Sequence, residues 1–129
     1  MSSVNIPVLI VDDFNTMRKI IRHLLVQIGF TQIEEASDGT EALKKMRRNP
    51  VGLVFTDWNM VPMSGLDLVR EMCADEKLQN TPLIMITSEA RFESVKAAKE
   101  VGVRNFIVKP FNAETLKRKI ESAIGRHLD

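Results

Sequence analysis

LVFTDWNMVPMSG, residues 53–65, sets an aspartate directly after a run of apolar and β-branched residues. GLVFT (52–56) reads as a short strand buried on both faces, because its apolar residues run on without alternation. The segment after Asp57, WNMVPMSG, has neither a helical nor an alternating period, and Pro62 interrupts it. A buried strand that ends in a carboxylate and then leaves regular structure invites the question of what the carboxylate is for.

Working outward, the same kind of apolar run returns at IPVLIV (6–11), PLIMIT (82–87) and NFIV (105–108), with a more polar strand, QIEEA (32–36), expected at a sheet edge. Between them lie amphipathic stretches. Residues 15–28 place Met17, Ile20, Ile21, Leu24, Leu25 and Ile28 on one helical stripe, which Gly29 ends. Residues 39–47 turn Ala42, Leu43 and Met46 inward, and residues 65–74 turn Leu66, Val69, Met72 and Cys73 inward. Two further helices span 91–100 and 113–127, the last with Leu116, Ile120, Ala123 and Ile124 facing the core. Strands that alternate with helices imply a parallel sheet covered on both faces. The predicted fold is α/β: a flavodoxin-like, doubly wound, five-stranded parallel sheet of order 2-1-3-4-5 with five helices. One domain is expected to fill residues 1–129.

Bulk properties exclude several classes. Net charge is +1, so nothing global draws the chain to nucleic acid or a membrane surface. No apolar run approaches the roughly 20 residues that span a bilayer, and MSSVNIPV lacks the form of a signal peptide. Cys73 is the only cysteine, which excludes an internal disulfide and suits the cytoplasm.

In an open parallel sheet, ligands bind beyond the carboxyl ends of the strands, where the winding reverses. For this order that point lies between strands one and three. Asp12 and Asp13 follow strand one, Asp57 strand three, Thr87 and Ser88 strand four, and Lys109-Pro110 strand five. Carboxylates crowded together raise one another's pKa, and a hard divalent cation such as Mg2+ is the simplest offset. A backbone carbonyl of the irregular WNM segment is placed to complete such a site. Asp57 would then serve as a nucleophile toward phosphorus, with Lys109 adding positive charge and Thr87 a hydroxyl donor, to give a labile aspartyl phosphate.

Each piece has a plainer reading. Asp12, Asp13 and Asn15 are also good helix caps, Asp57 an aspartate that opens a loop, Thr87 a strand-end threonine and Lys109 a solvated lysine. Their conjunction at the ends of different strands carries the functional reading. His23 and His127 have no second ligand at metal spacing and are expected in solvent. Cys73 reads as a small core residue, Met60 and Met63 as partly exposed beside the site, and Trp58 as a rim residue.

From LIVDDFNTMRKIIRHLL through FTDWNM and MITSEA to VKPFNAETL, the chain resembles the receiver domain of two-component response regulators, above all its stand-alone chemotaxis members. The resemblance implies a Mg2+-dependent phosphoryl transfer from a chemotaxis-type histidine kinase to Asp57. Asp13, Asp57 and the Asn59 carbonyl would hold Mg2+ directly and Asp12 through water. Thr87 and Lys109 would contact the phosphoryl group, while the Asn59 and Glu89 side chains tune dephosphorylation. The protein would catalyse only its own phosphorylation and dephosphorylation.

A displaced Thr87 would let the Phe106 ring turn in and alter the face made by helix four, strand five and helix five. That face carries Arg91, Lys96, Lys99, Arg104, Lys117, Arg118 and Lys119, either as a solvated basic surface or as a dock for an acidic amphipathic segment, as in the flagellar motor switch. Other implied partners are another effector and a phosphatase, with the chain itself a monomer. A phosphate sink or a phosphorylation-independent adaptor is the alternative role. Lys109-Pro110 matches the family's cis-proline turn.

Two positions depart from the family pattern. Val61 stands where proline usually follows the loop methionine, with Pro62 one residue late, so the Mg2+ affinity is expected to differ from that of relatives. Phe106 stands where chemotaxis members usually carry tyrosine, so its ring is expected to lean inward. Two other Asp or α/β chemistries fit poorly. A dehalogenase-type phosphatase needs a second aspartate where Asn59 stands, and a flavin carrier needs a hydroxyl-rich loop where DDFN stands.

Overall fold

Val8–Val11 form β1, and all four residues are buried. Neighbouring side chains of a strand point to opposite faces, so Val8 and Ile10 enter one core while Leu9 and Val11 enter another. That is why the run is apolar without a break. The computed structural model describes residues 4–88 and 92–128. After β1 come α1 (Asn15–Ile28), β2 (Ile33–Ala36), α2 (Gly39–Arg48), β3 (Leu53–Asp57) and α3 (Gly65–Ala74). β4 (Leu83–Thr87), α4 (Phe92–Glu100), β5 (Asn105–Val108) and α5 (Ala113–Ile124) complete the chain order.

The strands form one parallel sheet of order β2-β1-β3-β4-β5, the predicted topology, with the polar β2 at an edge. On one face Ile10, Phe55, Ile84 and Ile107 pack with Ile21 and Leu25 of α1 and Leu116 and Ile120 of α5. On the other, Leu9, Val11 and Val54 pack with Leu43 and Met46 of α2 and Leu68 and Met72 of α3. Among the described residues, no helix is long and apolar enough to cross a membrane.

The structure corrects several inward assignments. Ile20 is 45% exposed, whereas Ile21, Leu25 and Ile28 carry the α1 contact. On α3 the buried positions are Gly65, Leu68, Val69 and Met72, Leu66 is only partly buried, and Cys73 is exposed rather than in the core. The helix is rotated from the predicted phase by its first residue. A Cβ on Gly65 would lie 2.1 Å from the Asp57 carbonyl oxygen, and the Gly65 N–H donates to the Trp58 carbonyl at 2.9 Å. Glycine lets α3 start against the backbone of β3, and this contact sets which side chains point down.

Met60 is buried beneath the loop, not partly exposed, while Met63 is half-buried against α2. α5 stops at Ile124, short of the predicted 127, because Gly125 takes the left-handed conformation that caps a helix (φ 65°).

Gly65→Ala is therefore expected to cost about 2 kcal/mol or more, since the clash is with backbone that cannot swing aside. Urea unfolding measures it, and a loss under about 0.5 kcal/mol, the ordinary surface range, would show that α3 tolerates the displacement.

Candidate functional site

The sheet register brings the acids together. Val11 of β1 lies opposite Thr56 of β3, so the next residues, Asp12 and Asp57, leave the sheet side by side. Asp57 in turn lies opposite Ile86, and Thr87 opposite Val108, which sets Thr87 and Lys109 on the same rim. One carboxylate oxygen each of Asp12, Asp13 and Asp57 lies within 4.8 Å of the others. Lys109 Nζ stands 3.6 Å from Asp57 Oδ1.

Local bonds hold these groups. Asp12 Oδ1 accepts from the Phe14 N–H at 2.9 Å, and Asp57 Oδ1 accepts from the Trp58 N–H at 2.8 Å. The Lys109 N–H donates to the Thr87 carbonyl at 2.9 Å, joining the ends of β4 and β5. The Lys109–Pro110 peptide bond is cis, as the resemblance implies, and so is Val61–Pro62.

The capping reading of Asp12 and Asp13 does not hold. α1 begins after Phe14 with no side-chain cap, whereas α2, α3 and α5 are capped by Asp38, Ser64 and Asn112. The best capping residues near α1 are spent elsewhere.

Electrostatics mark the cluster as strained by charge. Burial pushes Asp12 up from 3.8 to about 6, against the pull of the Phe14 N–H, and Asp57 raises it further. Asp12 is only 1% exposed. Burial also raises Asp57, opposed by Lys109 and the Trp58 N–H. Among the described residues, one lysine facing three carboxylates leaves negative charge uncompensated. An all-oxygen donor set this compact fits one hard divalent cation, whose ligands sit at about 2.0–2.6 Å and so fall within about 5 Å of each other.

The remaining predicted residues are more scattered. Thr87 is buried at the rim, and Asn59 is exposed in the loop between β3 and α3. Phe106 is half-buried against Val69, Met85, Ala98 and Val103. Lys99 and Arg104 are exposed on α4 and just before β5, and Arg104 is at the end of that strand opposite Lys109. Glu89 and Arg91 lie outside the described residues. Trp58 is half-buried against the α3–α4 core, and His23 and His127 are exposed.

Sequence reasoning missed Arg18, whose Nη1 donates to the Asp12 carbonyl at 2.6 Å. The available signal was an arginine one turn into the helix that follows the acids.

The family model described as "Response regulator receiver domain" matches residues 8–121. The chain belongs to the response regulator receiver domain family. Among curated relatives, this receiver is 46% identical over 122 residues to chemotaxis protein CheY-3 of Vibrio cholerae, covering 95% of this chain and 94% of that one. It is 47% identical over 119 residues to chemotaxis protein CheY of Pseudomonas aeruginosa, covering 92% and 96%. Among solved structures, Vibrio cholerae CheY4 superposes with a TM-score of 0.86 at 33% identity, covering 93% of this receiver and 99% of that chain. Members of the family are signalling proteins rather than enzymes of metabolism.

The raised Asp12 pKa fixes a pH dependence. The protonated carboxyl favours the folded receiver fully below its unfolded value of 3.8, and this contribution is lost as pH rises through about 6. Without divalent metal, Asp12→Asn is expected to stabilise the protein by about 1–3 kcal/mol near neutral pH and by almost nothing near pH 4. Urea unfolding at the two pH values tests this; a neutral-pH destabilisation would contradict it.

Proposed function

We propose that the chain is a single-domain response regulator, residues 1–129, that receives a phosphoryl group on Asp57 from a chemotaxis-type histidine kinase in the cytoplasm. The observation that carries this reading is the placement of Asp57 between two other carboxylates and the Lys109 ammonium. The chemotaxis assignment is supported by relatives of that name at 46–47% identity over nearly the whole chain.

In the proposed reaction a carboxylate oxygen of Asp57 attacks the phosphorus of a phosphohistidine. The O–P bond forms as the N–P bond breaks, and the imidazole departs with the electron pair. Lys109 stabilises the charge on the phosphoryl oxygens, and Thr87 offers them a hydroxyl. Asp12, Asp13 and Asp57, with the Asn59 carbonyl, would hold Mg2+, which supplies further positive charge to that group. Water later attacks the phosphorus, restores the carboxylate and releases inorganic phosphate, with the Asn59 and Glu89 side chains tuning the rate, as the resemblance implies, and a phosphatase accelerating it.

The output surface is the α4–β5–α5 face. Met85 lies opposite Phe106 and Thr87 opposite Val108, so a shift of Thr87 is felt two residues from the ring. The phosphorylated form would favour an inward ring and a face, lined by Lys99 and Arg104, that fits an acidic segment of a flagellar motor switch protein or another effector.

Incubation with Mg2+ and a small phosphodonor tests the reading. The wild-type protein is expected to gain the mass of one phosphoryl group and to change Trp58 fluorescence, also with beryllofluoride; Asp57→Asn is expected to do neither. Equal labelling of both proteins, or none of the wild type, would overturn it.

A further inference from the structure

Arg18 lies one turn inside α1 with its side chain only 16% exposed. Its guanidinium is divided among three acceptors. Nε donates to Glu35 Oε1 at 3.0 Å, Nη1 to the Asp12 carbonyl at 2.6 Å, and Nη2 to Asn15 Oδ1 at 3.2 Å. Glu35, on β2, is the anchor. Burial works against its charge, but Arg22 and Arg18 together hold the carboxyl below its usual range, so it stays ionised. Arg22 reaches the other oxygen, Oε2, at 2.7 Å, and donates to the Ile33 carbonyl rather than to Asp12.

Asp12 is thereby held through its N–H, its carbonyl and one carboxylate oxygen. Its N–H donates to the Ala36 carbonyl at 3.1 Å, its carbonyl accepts from Arg18, and its side chain accepts from Phe14. The turn between β1 and α1 has no side-chain cap to stiffen it. The guanidinium supplies that stiffness by tying the turn to the end of β2. A planar fork suits such a divided role, whereas a lysine ammonium at the same place reaches fewer acceptors in fixed directions.

We propose that Arg18 is a positioning residue for cation binding: it clamps the β1–α1 turn to Glu35 and so holds Asp12 and Asp13 at ion-binding distance from Asp57. The proposal rests on the reading of the acid cluster as a divalent-cation site. Arg18 itself touches neither the cation nor the phosphoryl group.

The test is a MgCl2 titration followed by Trp58 fluorescence, on wild type, Arg18→Met, Arg18→Lys and Arg22→Met. Arg18→Met is expected to weaken binding about tenfold or more, the usual effect of removing a group that orients a metal ligand. Arg18→Lys is expected to fall between it and wild type. Arg22→Met removes the other cation on Glu35 without touching Asp12 and is expected to bind Mg2+ as wild type does. Equal loss in Arg18→Met and Arg22→Met, or an affinity for Arg18→Met within about twofold of wild type, overturns the clamp.

Amide exchange at Phe14 in metal-free protein gives a second readout, faster in Arg18→Met than in Arg22→Met if the turn is released. Equal exchange overturns the clamp whatever the metal does. A wild type that binds no Mg2+ while the exchange difference persists would sink the cation reading and leave the clamp of the turn standing.

Discussion

Negative charge held away from water at the carboxyl ends of β1 and β3 is the constraint on which the rest of the structure depends. Asp12 and Asp57 are withdrawn from solvent enough to raise their pKa, and the neighbouring carboxylates add to the rise. Lys109 and two backbone N–H groups offset part of that cost. The remainder favours a cation beside these acids and, in the proposed function, a phosphoryl group next to it. In the proposed function a site so loaded would be less stable empty than filled, which is what a switch requires.

The fold serves this constraint at several scales. Parallel central strands with apolar side chains on both faces provide a rigid base from which the acids project. The order of the sheet puts β1 beside β3, so the segments that leave the two strands diverge and open the cleft. Gly65 lets α3 close against the Asp57 carbonyl, and Arg18 ties the facing turn to β2. The two sides of the cleft are thus fastened by unrelated means, one by the absence of a side chain and one by a forked cation.

Much of this was legible in the sequence because burial on both faces writes itself as an unbroken apolar run, and such a run marks where a strand ends. Asp12, Asp13, Asp57 and Lys109 were each placed by that rule, and in the structure they are neighbours. The cis bond at Lys109–Pro110 followed from the resemblance. What escaped depends on contacts between distant segments. The phase of α3, and with it the exposure of Cys73, is set by backbone against backbone at Gly65, which no periodicity records. Met60 is buried because its loop folds back over the core, although the segment lacks any regular pattern. Arg18 escaped notice, since its partners on β2 and at Asp12 lie 17 and 6 residues away.

The most direct measurement of the central claim is the urea unfolding midpoint as a function of MgCl2 at constant ionic strength, for wild type and Asp57→Asn. A ligand bound only by the folded state stabilises it by RT ln(1 + [L]/Kd). The wild-type midpoint is predicted to rise steadily with the logarithm of Mg2+ concentration, and that of Asp57→Asn to rise far less. A wild-type midpoint indifferent to Mg2+ would contradict the account.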